Sequence, residues 1–103
     1  MSIAIEDWDA IEDWDFDDYN IEELWRHGIS DADVLAMADS EHVLVLLNKG
    51  SRAGVYRLIG RDNKGRLITV VVTPSALGYG VWRPVTGWRS TVAEERQWRK
   101  NWQ

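Results

Sequence analysis

The spacing of apolar and polar positions divides this chain into a helical front and a stranded back. Ile21, Leu24 and Trp25 recur at i, i+3, i+4 and predict an amphipathic helix over about 18–27. Asp17 or Asp18 can cap it, and Glu22 and Glu23 sit near the positive end of its dipole. Gly28 ends it as a C′ residue, so that Ile29 can fold back on Leu24. Ser30 opens a second short helix from Asp31 to about Asp39. Asp33 approximates a capping box there, and Val34, Leu35 and Met37 supply packing positions. From His42 the period shortens. His42–Asn48 is a continuous apolar run bounded by Lys49-Gly50-Ser51, and Gly54–Arg61 and Arg66–Thr73 flank the hairpin turn Asp62-Asn63-Lys64-Gly65. Both faces of Leu67–Val72 are apolar, which suits a central strand. Pro74–Gly80 reads as a loop, and Gly80–Trp88 as a fourth strand in which Pro84 marks an edge or a bulge. Thr91 and Glu94 form the box that opens a last helix to about Trp102.

This order predicts an α+β domain: an antiparallel four-stranded sheet with two N-terminal helices, one C-terminal helix and room for an extra N-terminal strand. A tandem repeat precedes it, Ile5-Glu6-Asp7-Trp8-Asp9 followed by Ile11-Glu12-Asp13-Trp14-Asp15. Only the second copy runs into a helix. Residues 1–12 are therefore expected to be an acidic extension, disordered or loosely docked, and 13–103 a single domain.

Composition narrows the chemistry. A chain of 103 residues supports one core. The absence of cysteine removes disulfides, zinc-thiolate sites and thiol nucleophiles. No signal peptide and no apolar run of membrane length is visible, so a cytoplasmic location without membrane contact is expected. The acidic cluster Asp7, Asp9, Asp13, Asp15, Asp17 and Asp18 lacks the spacing of a calcium loop. No metal site or cofactor is expected.

Charge changes the picture more. Residues 1–42 hold fourteen of the seventeen acids and one base, Arg26, whereas 43–103 hold eleven bases against Asp62, Glu94 and Glu95. The net charge of −5 thus conceals a front of about −13 and a back of about +8. A basic surface built from the back half can be offered to a polyanion.

Ordered motifs point to one family. The string Trp14-Asp15…Asn20…Arg26-His27-Gly28-Ile29-Ser30 resembles the opening of BrnT toxins, small proteins of the RelE-like ribonuclease group. Arg57-x-x-Gly60…Gly65-Arg66-Leu67…Val70 resembles their central hairpin, and Arg83…Thr91-x-x-Glu94…Trp98 their ending. The match spans residues 14–98. It implies a RelE-like fold, metal-independent RNA cleavage that inhibits translation, and a cognate DNA-binding antitoxin; the RNA would be mRNA, on or off the ribosome. The chain departs from the family where the last strand usually ends in Ser-Ala-Arg. Thr86-Gly87-Trp88 stands there, with Arg89 one residue late, which sends its side chain to the other face unless a bulge intervenes.

Cleaving RNA without metal requires a base for the 2′-OH, cations for the phosphorane and an acid for the leaving oxygen. Arg57, Arg66 and Arg83 converging on one sheet surface would make a phosphate fork; taken singly, each reads as a solvent-facing residue or an ion-pair partner. Arg57, Arg83 and His27 are the catalytic candidates. His27 can also simply complement the carbonyls at the end of its helix, which is the preferred reading. Arg61, Lys64, Arg66, Trp88 and Arg89 are the substrate-binding candidates. Glu94 could act as a base, although its capping box accounts for it. Trp82 and Trp88 are expected on one strand face with Thr86; Trp82 and Trp98 are assigned to the core, and Trp88 is left between core and base stacking.

Two alternatives run beside the ribonuclease reading. One is a RelE-like scaffold that binds a protein or nucleic acid without cutting it. The other concerns residues 1–13, which would fold over the basic face as a polyanion mimic; a solvated acidic tail is the preferred account of them.

Overall fold

Three capping boxes set the helix starts in the computed structural model, which describes residues 11–48 and 56–102. The first repeat copy, the Lys49-Gly50-Ser51 boundary and the strand start expected at Gly54 lie outside these residues. In chain order the elements are β1 (Asp13–Trp14), α1 (Asp18–Arg26), α2 (Asp31–Ala38), β2 (Leu44–Leu47), β3 (Tyr56–Arg61), β4 (Leu67–Pro74), β5 (Val81–Arg89) and α3 (Val92–Asn101). Asp17 caps α1, Ser30 caps α2 and Thr91 caps α3. In each case the N3 side chain (Asn20, Asp33 or Glu94) bonds back to the cap N–H. Gly28, at φ 75°, ends α1 in the left-handed region, and the Ile29 N–H donates to the Leu24 carbonyl at 3.0 Å.

The sheet has five strands, the four expected and the extra N-terminal one for which the sequence left room, in the order β1-β5-β4-β3-β2. Four strands pair antiparallel. The fifth is β1, which lies parallel to β5 with Asp13 opposite Val81 and Trp14 opposite Trp82. Packing extends slightly further toward the N-terminus than the predicted boundary at 13, since Ile11 packs on the core and the Glu12 N–H donates to the Gly80 carbonyl at 2.7 Å. No helix among the described residues is long and apolar enough to cross a membrane.

The sheet is covered on both faces. Leu58, Ile68, Val70 and Val72 pack with Leu24 of α1, Ile29 of the link and Val34 and Met37 of α2, while Leu44, Ile59 and Leu67 pack with Trp98 of α3. Leu67–Val72 is buried throughout, as its two apolar faces predict. Each fully buried aliphatic side chain of this kind contributes about 1.5–3 kcal/mol relative to exposure.

Two placements differ from expectation. Trp25 is 61% exposed, because the inner stripe of α1 runs through Asn20 and Leu24. Asn20 can be buried because its amide is satisfied. Its oxygen accepts from the Asp17 N–H at 3.0 Å, and its nitrogen donates to the Asp15 carbonyl at 2.9 Å. The second difference lies in β5. Val72 pairs with Pro84 and Val71 with Thr86, so Val85 is an inserted residue. This bulge reverses the alternation downstream. Trp82 joins the core on the α1–α2 face, beside Tyr56, whereas Trp88 bonds to α3 on the other; the two do not share a face.

Candidate functional site

The cations nominated from the sequence fall into two groups. Arg57, Arg66 and Arg83 are each held by carboxylates in separate places and do not form a common phosphate fork. Arg61, Lys64 and Arg89 lie at one end of the sheet, Arg61 on the α3 face and Arg89 on the α1–α2 face.

Arg57 belongs to a knot centred on Glu94, which is 5% exposed. The Arg57 NH1 group donates to Glu94 Oε2 at 2.9 Å. Glu94 Oε1 accepts from Trp88 Nε1 at 3.0 Å, Thr69 Oγ1 at 3.0 Å and the Thr91 N–H at 2.9 Å. With its proton on Glu94, Thr69 Oγ1 accepts from Ser90 Oγ at 2.9 Å. Burial alone would raise the Glu94 pKa. The donors from Thr91, Trp88, Thr69 and Arg57 outweigh it and hold the carboxyl below its ordinary 4.5. A carboxylate with four donors and a lowered pKa is a poor proton acceptor. It is well suited to fastening α3 onto β3, β4 and β5.

Arg66 closes the β3–β4 hairpin. Its Nε donates to Asp62 Oδ2 at 2.7 Å and its NH2 to Asp33 Oδ2 at 3.2 Å, tying the turn to the first turn of α2. Asp62 Oδ1 accepts the Lys64 and Arg66 N–H groups, both at 2.9 Å. Arg83 sits between Asp17, at 2.8 Å, and Asp15, at 3.5 Å. Asp15 also accepts from Ser75 Oγ at 2.8 Å. The hydrogen bond from Arg83, aided by the Asn20 N–H, lowers the Asp17 pKa. The acidic front therefore meets the basic back within the fold. His27 is the C-cap of α1: its backbone N–H donates to the Leu24 carbonyl, while its ring lies 3.4 Å from the Glu23 carboxylate.

The second group has no carboxylate partners among the described residues. Arg61 pairs with Leu67 and Arg89 with Ile68, and Lys64 sits in the turn between, so all three occupy the hairpin end of the sheet. Arg61 donates to the Gly65 carbonyl at 2.7 Å and lies over the Trp98 ring at 5.0 Å. Because of the bulge, Arg89 has the strand parity of Trp82 and Pro84 rather than of Arg83.

The carboxylates that neutralise Arg57, Arg66 and Arg83 were not assigned as their partners from sequence, nor was the Thr69 hydroxyl. Thr69, as a polar residue inside an otherwise apolar strand, is the one signal the sequence carried. His42, which opens the apolar run, precedes β2 by two residues. Its carbonyl accepts from Trp98 Nε1 at 2.9 Å, and its ring stacks on Trp102 with centroids 4.6 Å apart. No group of three or more His, Asp or Glu placed to hold a metal occurs among the described residues. Neither the protein-family models nor the curated proteins contain a match to this chain.

Proposed function

We propose that this chain is a RelE-like scaffold that binds single-stranded RNA at the hairpin end of its sheet without cleaving it. The observation that carries this reading is the division among the cations. Those suited to phosphorane stabilisation are bound to carboxylates, with close contacts of 2.7–2.9 Å, whereas Arg61, Lys64 and Arg89, at the hairpin end of the sheet, have no carboxylate partner among the described residues. Phosphate contacts from such residues give affinity that falls with salt, and neighbouring aromatic or guanidinium planes suit unstacked bases.

The test is binding of a labelled single-stranded RNA over a salt series. Lys64→Ala and Arg89→Ala should each reduce the logarithmic salt slope by about 0.7, the increment for one phosphate contact to a single strand. RNA should stay intact at high protein excess. No binding at low salt, or slopes unchanged in both variants, would overturn the proposal.

A second reading is the metal-independent endoribonuclease that the family resemblance implies, acting on mRNA and restrained by a DNA-binding antitoxin. One observation favours it: the Arg57 Nε is buried without a hydrogen-bond partner among the described residues, an unsatisfied polar group of the kind a catalytic role would account for. RNA cleavage and growth arrest, both relieved by Arg57→Ala or Arg83→Ala, would establish it over the binding-only reading.

A further inference from the structure

Next to the cationic end of the sheet is a pocket of about 230 Å³ lined by Ser40, Glu41, His42, Arg61 and Trp98. It lies where the segment joining α2 to β2 meets the end of β3 and the middle of α3. Drug-sized ligands occupy pockets of about 300–1,000 Å³, so this one suits a single ring system rather than a larger molecule. Its polar equipment is specific. The Trp98 Nε1 proton is used by the His42 carbonyl and the Ser40 hydroxyl proton by the Met37 carbonyl, at 2.7 Å. Two charged groups of opposite sign are left, Glu41 and Arg61, and neither has an ion-pair partner among the described residues. The Arg61 guanidinium lies over the Trp98 ring, 5.0 Å from its centroid, and donates through NH1 to the Gly65 carbonyl, which leaves its other N–H groups for a ligand.

We propose that this pocket takes an unstacked guanine of a single-stranded RNA, a reading that rests on the RNA-binding function above and names its preferred base. Guanine alone among the four bases offers two adjacent N–H donors, N1–H and N2–H, on its Watson–Crick edge together with the acceptors O6 and N7. A carboxylate accepts the first pair and a guanidinium supplies the second. Adenine, cytosine and uracil each present at most one donor group to Glu41. Lys64, in the adjoining turn, is placed for a flanking phosphate.

The experiment compares two five-nucleotide RNAs, one with a central guanine and one with a central adenine in the same pyrimidine context, against the full chain and two variants. The guanine RNA should bind about 10-fold tighter, within the range of one bidentate base contact. Glu41→Gln, at an exposed position that the fold does not depend on, should abolish that preference by weakening the guanine RNA alone. A merely electrostatic role for Glu41 predicts the opposite, a gain for both RNAs on removing a negative charge. Lys64→Ala should weaken both RNAs equally. Equal affinities in the unaltered protein, or a preference that survives Glu41→Gln, would overturn the guanine pocket and leave RNA binding standing. Failure of both RNAs to bind at low salt would overturn both.

Discussion

Replacing Glu94 separates a structural carboxylate from a catalytic one. Glu94→Gln keeps the shape of the side chain. Its amide oxygen can still serve Thr91, Trp88 and Thr69, but its NH2 group then faces the Arg57 NH1, which the carboxylate had bonded at 2.9 Å. A hydrogen bond to a charged group contributes about 1.5–3 kcal/mol, and that bond is lost. Glu94→Ala goes further. It strands an Arg57 side chain only 25% exposed, the hydroxyl of a fully buried Thr69 and a cap N–H. Breaking a buried pair from one side costs about 3–5 kcal/mol. A domain of this size holds about 5–15 kcal/mol in total, so Glu94→Ala should leave it marginal. Guanidinium chloride unfolding followed by tryptophan fluorescence measures both effects. Thermal scans should place Glu94→Gln roughly 10 °C below the parent, since 1 kcal/mol corresponds to about 4–8 °C. A double-mutant cycle with Arg57→Ala should recover most of the pair energy as coupling. Catalytic carboxylates behave differently, because replacing them commonly stabilises the fold at the expense of activity. A Glu94→Gln protein as stable as the parent, or more so, would refute the fastening role and restore Glu94 as a base.

Three further outcomes follow from the same structure. A Cβ on Gly87 would lie 3.0 Å from the Thr69 carbonyl and 3.1 Å from Leu24 Cδ2, so Gly87→Ala should destabilise by about 1–3 kcal/mol, read from the denaturant midpoint. Leu24 is fully buried beneath α1, and Leu24→Ala should cost about 2–5 kcal/mol by the same assay. Glu94 and Asp62 both have lowered pKa values: burial opposes the shift in each, and the hydrogen bonds they accept outweigh it. Their stabilisation is therefore fully present above the ordinary values of 4.5 and 3.8 and is lost as pH falls below them. Urea midpoints should be level from neutrality to that point and decline beneath it, with Glu94→Gln showing a shallower acid limb.

Local signals account for what the sequence revealed. Caps, the hairpin turn and the apolar runs depend on neighbours within a few residues, and Asp17, Ser30 and Thr91 begin helices as their chemistry predicts. What escaped depends on partners far away in the chain. Arg57 meets Glu94 37 residues later, Arg66 meets Asp33 across 33, and Thr86 meets Glu23 across 63. The helical period of Ile21, Leu24 and Trp25 identified a helix correctly but not its rotation, which a buried, bonded Asn20 decides. Pro84 pointed to a bulge or an edge. The bulge at Val85 then undid the strand-parity argument that grouped Trp82 with Trp88.

The parallel seam between β1 and β5 has a consequence for how the chain folds during synthesis. Asp13 and Trp14 leave the ribosome long before Val81 and Trp82 exist, so the N-terminal strand has no edge to join until the C-terminal strand is made. Asp15 and Asp17 likewise wait for Arg83. Closure of the sheet is thus a late event. A bulky fusion ahead of Ile11 should slow this docking step more than the same fusion behind Trp102, and α1 should gain hydrogen-exchange protection only after β5 has emerged.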